Sequence, residues 1–128
     1  MVARQDYAAF LASFASSKFS TLWPAQEYVL NCYAGNIVDS KDIAVELPTG
    51  AGKTLIALLI AEAWRQEDKK VAILSANKTL ARQMVLEAQS LNIPVVLMEG
   101  RGSTIPAADK RARSPGSYMS VRRKGTCR

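Results

Sequence analysis

Ile43-Ala44-Val45-Glu46-Leu47-Pro48-Thr49-Gly50-Ala51-Gly52-Lys53-Thr54 leads directly into the apolar run Leu55 to Ala61 and on to Trp64. The first five residues read as a short strand, bounded by polar residues before it and Pro48 after it. Leu55 to Trp64 is strongly helical and apolar nearly all round, which predicts a helix buried against a sheet. Gly50 to Thr54 therefore falls at a strand-to-helix junction, the setting a phosphate-binding loop requires. Glycines let the backbone curl so that successive N–H groups point inward with no Cβ in the way. The helix adds its unpaired first-turn donors and the positive end of its dipole. Lys53 is placed to reach β- and γ-phosphates, and the Thr54 hydroxyl to ligate Mg²⁺. The strict loop pattern has a glycine where Leu47 stands; Pro48-Thr49-Gly50 follows instead, shifting the tight turning to Gly50 and Gly52.

Outward from the loop, the charged run Arg65 to Lys70 predicts a solvated turn and Val71 to Ser75 a second strand. Lys78 to Leu91 predicts a helix with Leu80, Met84, Val85 and Ala88 on one face, and Pro94 to Met98 a third strand. Strand, helix, strand, helix, strand specifies an α/β protein with a parallel sheet and right-handed crossovers. The continuous apolar strands imply burial on both sheet faces. Three strands alone leave two open edges. Upstream, Tyr7, Phe10, Leu11 and Phe14 mark a helix by their spacing. A second helix starts at Pro24, with Gln26, Val29, Leu30 and Tyr33 along one side. Gly35 offers a left-handed stop, followed by a loop to Lys41.

Charge is distributed unevenly. Residues 1–100 hold nine Lys/Arg and ten Asp/Glu, whereas residues 101–128 hold eight Lys/Arg and one acid, Asp109. The overall +6 is thus the property of a basic tail on a nearly neutral body. No histidine is present, which excludes Ser-His and Cys-His nucleophiles and histidine-zinc sites. Cys32 and Cys127 lie 95 positions apart, which allows one disulfide but gives neither a disulfide framework nor a metal-ligand spacing. No apolar run is long enough to span a bilayer. Asp6 stands where a secretory signal would need positive charge, so a cytoplasmic location is expected.

Glu46 to Thr54 resembles motif I of superfamily 2 helicases and translocases, in which Pro-Thr-Gly-x-Gly-Lys-Thr is a common variant. Thr79-Leu80-Ala81-Arg82-Gln83 resembles motif Ia, and Trp23-Pro24-Ala25-Gln26 resembles the segment whose glutamine reads the adenine edge. The likeness covers roughly Leu22 to Gly100 and is nearest to DEAD/DEAH-box and type III restriction-subunit relatives. It implies a three-layer P-loop NTPase (RecA-like) parallel sheet with ATP and Mg²⁺ as cofactors. Thr49, Gly50, Ala51, Gly52, Lys53 and Thr54 would hold the nucleotide, with Lys53 and Thr54 catalytic, Thr54 on the metal and Gln26 on the base. Lys78, Thr79 and Arg82 would touch a nucleic-acid backbone, DNA favoured over RNA.

The expected organisation is N-terminal helices over 1–34, a partial RecA-like P-loop domain over 35–108, and a disordered basic tail over 109–128. Hydrolysis needs an acidic pair at the end of an apolar strand, and no Asp-Glu dipeptide occurs in the chain. The reading is therefore an ATP-binding, incomplete front end with little or no hydrolysis on its own. The loss of apolar pattern from about Ala112 suggests a truncated or frameshifted tail; a basic nucleic-acid arm or an artificial extension are the alternatives. Two other functions remain in play: a small P-loop kinase-like phosphotransferase with Glu99 near the metal, and a non-enzymatic nucleic-acid-binding fragment.

Overall fold

The computed structural model describes residues 5–14, 18–98 and 119–123, with backbone only for Asn36 and for 119–123. Helix α1 spans Tyr7–Ser13 and starts where Asp6 Oδ1 accepts from the N–H groups of Ala8 (2.9 Å) and Ala9 (3.3 Å). That satisfies two of the donors a helix start leaves unpaired. Helix α2 spans Pro24–Cys32 with Pro24 in its first turn. It does not stop at Gly35: the chain passes into a π-helical turn, Tyr33–Ile37, and Gly35 has no positive φ. The wider turn carries the chain on to Val38, which is buried in the core.

Helix α3, Lys53–Gln66, buries Leu55, Ile56, Leu58, Leu59, Ala61 and Ala63, as its apolar sequence requires. Its one buried acid, Glu62, accepts from Arg65 Nε (2.6 Å) and Nη2 (2.8 Å) and from Gln66 Nε2 (3.0 Å). The interior charge is thus met within the helix that carries it. The N-terminal helices join the same core. Tyr7 packs edge-on against Phe10 and tilted against Tyr33, and Tyr33 Oη accepts from Trp64 Nε1 at 2.6 Å. Tyr7, Leu11, Leu30, Leu58, Leu59 and Leu91 are all fully enclosed.

Strand β1 is Val71–Ser75, helix α4 is Lys78–Ser90, strand β2 is Val95–Met98 and strand β3 is Met119–Arg123. The strands lie in the order β1-β3-β2, β3 pairing parallel with both neighbours: Ile73 and Leu97 each stand opposite Val121.

Four expectations are corrected here. Residues 43–47 are not a strand; they have no ladder partners among the described residues, and Ile43 and Val45 are exposed. The basic tail is not wholly irregular, because residues 119–123 fill the place between β1 and β2, whose backbone groups need a partner on that side. The rest of the tail lies outside the described residues. β1 is covered on one face only: Val71 and Ile73 pack into the core while Leu74 is 61% exposed. On α4 the buried residues are Ala81 and Ala88, with Met84 and Val85 half-buried and Leu80 exposed. The small alanines bring the helix backbone close, which turns Leu80 away.

Candidate functional site

The loop before α3 makes its turn with glycine. Gly50 has φ +83° and Gly52 φ +73°, both in the left-handed region that side chains rarely adopt. Ala51 N–H donates to the Pro48 carbonyl at 3.2 Å, closing the turn. Gly52 then caps α3 with no side-chain hydrogen bond to its first N–H groups. Lys53 Nζ donates to the Leu47 carbonyl at 2.6 Å, tying an exposed ammonium across the base of the same turn. The positive end of the helix dipole and one ammonium thus fall at the same junction.

Gln26 is the residue that links this loop to the N-terminal helices. It is 4% exposed. Its Oε1 accepts from Trp23 N–H at 2.9 Å, the reach-back of a third-position glutamine that satisfies a helix start. Its Nε2 donates to the carbonyls of Ala51 (3.2 Å) and Gly52 (3.4 Å). The base-reading amide expected from sequence is therefore occupied at both ends by the protein itself.

Around the loop lies a cleft of about 540 Å³. Gly50, Gly52, Lys53 and Thr54 line it, together with Phe19 and Trp23 and with Gln83 and Glu87 of α4. Thr49 is exposed and Ala51 half-buried on the loop itself. The sequence reading missed Phe19, Gln83 and Glu87. The i, i+4 spacing of Gln83 and Glu87 was a usable signal, since it places both on one side of a helix. Among the described residues, Glu87 is the one carboxylate lining the cleft. Among the described residues no group of three or more His, Cys, Asp or Glu side chains could hold a metal ion. Glu99 lies outside the described residues.

Lys78, Thr79 and Arg82 are exposed in the first turns of α4 and do not line the cleft. Asn77 fixes that helix start: its Oδ1 accepts from Leu80 N–H at 2.9 Å, and its carbonyl accepts from Ser75 Oγ at 3.1 Å. The start of α3 thus faces the cleft and the start of α4 faces solvent.

A left-handed glycine turn opens a long buried helix in this α/β protein, with a lysine at the junction. The chain belongs to the DEAD/DEAH box helicase family, whose model matches residues 23–115. No curated protein and no solved structure matches it. Membership carries a RecA-like fold, ATP and nucleotide binding, and a helicase-related function. No helix among the described residues is long and apolar enough to cross a membrane.

Proposed function

We propose that this chain is the ATP-binding portion of an ATP-dependent DNA or RNA helicase or translocase. The observation that carries the reading is the paired left-handed glycines, Gly50 and Gly52, at the start of α3 with Lys53 beside them. Thr49 to Thr54 would cradle the triphosphate through backbone N–H groups, with Lys53 supplying positive charge. Mg²⁺ takes oxygen ligands and keeps several waters, so Thr54, which lines the cleft, and the phosphate oxygens would hold it without an all-protein cage. The metal would neutralise charge building up on the phosphates.

Lys78, Thr79 and Arg82 form the nucleic-acid contact in this reading. A helix start with threonine and arginine suits a phosphate backbone and carries no base information. Single-stranded DNA is the partner we favour. The architecture we assign is a three-layer RecA-like parallel sheet, supported by the parallel pairing of β3 with β1 and β2 and by the packing of α3 and α4 upon it. Hydrolysis by these residues alone should be slow, because no Asp-Glu pair is available to position metal and water.

Calorimetric titration with Mg·ATP tests the site. Lys53→Ala removes the charge facing the phosphates and should weaken binding by about tenfold or more. The fold should survive, since Lys53 is exposed. Unchanged affinity in that variant would remove the loop from consideration.

A further inference from the structure

We propose that Glu87 makes triphosphate binding in this cleft depend on a divalent cation. Its carboxylate opposes the bare phosphates and becomes a partner of the cation once one is present. The proposal rests on the reading that the cleft binds a nucleoside triphosphate.

Helix α4 packs against α3, which begins with Lys53 and Thr54. The enclosed Ala81 and Ala88 set the rotation of α4. Gln83 and Glu87, one turn apart, share a different side of that helix, and both line the cleft together with Lys53 and Thr54. Glu87 is half-buried. Ser90 Oγ donates to its backbone carbonyl at 2.7 Å, and among the described residues its carboxylate has no hydrogen-bond or ion-pair partner. Nothing in the fold therefore requires an acid at position 87.

A carboxylate is an unfavourable neighbour for an anion. Near a protein surface, like charges up to about 10 Å apart shift a binding constant by about tenfold. A triphosphate carries several such charges. A divalent cation reverses the sign, because it attracts the carboxylate and the phosphates alike. Mg²⁺ is usually held by one or two carboxylates together with substrate phosphates. Thr54 supplies a neutral hydroxyl, and Glu87 is the one carboxylate lining the cleft among the described residues. It is the side chain with the charge the cation calls for.

Lys53 and Glu87 thus have separable effects. The Lys53 ammonium attracts phosphate with or without metal, so it sets the affinity. Glu87 sets how much the metal adds. One acid can partner the cation but leaves no second acid to orient water, which agrees with slow hydrolysis.

The test is calorimetric titration of the chain, Glu87→Gln, Glu87→Asp and Lys53→Ala with ATP and with inorganic tripolyphosphate, each in EDTA and in excess Mg²⁺. In EDTA, E87Q should bind both ligands about fivefold more tightly than the parent, since a repelling charge is gone. In Mg²⁺ it should bind them more weakly, so that the gain from metal falls by about tenfold or more. E87D keeps the charge and should keep most of the gain. Glu87→Ala, a good helix former, should repeat the E87Q result if E87Q does not fold. K53A should weaken binding in both conditions by a similar factor. An unchanged metal gain in E87Q, or an equal loss with and without Mg²⁺, would overturn the proposal and leave Glu87 a solvated residue of α4. If neither ligand binds the parent chain in either condition, the nucleotide reading itself falls, and this inference with it.

Discussion

Gln26 Nε2 occupies the place that a Cβ on residue 52 would need: a methyl group built on Gly52 collides with it. The contact makes the loop's shape depend on helix α2 as well as on its own glycines. Two restrictions thus fall on residue 52 at once, the left-handed backbone at φ +73° and the filled space beside it.

Gly52→Ala should therefore destabilise the chain by about 1–3 kcal/mol from backbone strain, with the collision adding to it. Gln26→Ala in the same chain removes the atom that is struck. The double variant should be more stable than the sum of the two single losses implies. Urea denaturation of parent, both singles and the double measures this coupling. Strict additivity would show that the two residues do not press on each other.

Lys78→Ala with Arg82→Ala should weaken single-stranded DNA binding across sequences and flatten its salt dependence. Two lost phosphate contacts lower the slope of log K against log salt by about 1.4. Mg·ATP affinity should be unaffected, because neither residue lines the cleft. Anisotropy of a labelled oligonucleotide over a salt series gives the slope. An unaltered slope would take α4 out of the nucleic-acid interface.

Alkaline pH should unfold the chain through its tyrosine pair. Burial is the main cause that pushes the Tyr7 hydroxyl well above its ordinary value of 10.0, helped by the neighbouring Tyr33 and Glu67 charges. Burial raises Tyr33 too, partly offset by its hydrogen bond from Trp64. A tyrosine is neutral when protonated, so a raised value in the fold means the unfolded chain releases its proton first as pH rises. Stability is complete below pH 10 and falls above it. Tyr7→Phe should make the melting temperature less sensitive to pH over the range above 10. An equally steep decline in that variant would assign the loss elsewhere.

The helices and the loop were legible in the sequence because their causes are local. Periodicity placed α1, α3 and α4 within a residue or two, and glycine placed the turn before Lys53. Trp23-Pro24-Ala25-Gln26 could also have been read as a helix start whose third residue reaches back to the first, which foretells where Gln26 Oε1 goes. The other end of that amide was not legible, since its partners are 25 and 26 residues away. Val71–Ser75 and Val95–Met98 are strands as their apolar runs imply, but the other two strand readings failed for the same reason. Ile43–Leu47 has a strand's composition, and nothing in five residues says whether a neighbour will pair with them. Met119–Arg123 has a weak pattern of its own and is a strand because β1 and β2 flank it. Gly35 was misread because a glycine permits a left-handed stop without enforcing one.

Leu74 points its side chain into water from a strand whose outer backbone edge, among the described residues, is unpaired. Two such molecules meeting edge to edge would satisfy each other's amides and cover each other's leucines. Crowding, more than heating, is then the condition under which this protein should come out of solution, and a single lysine at position 74 should keep it dispersed.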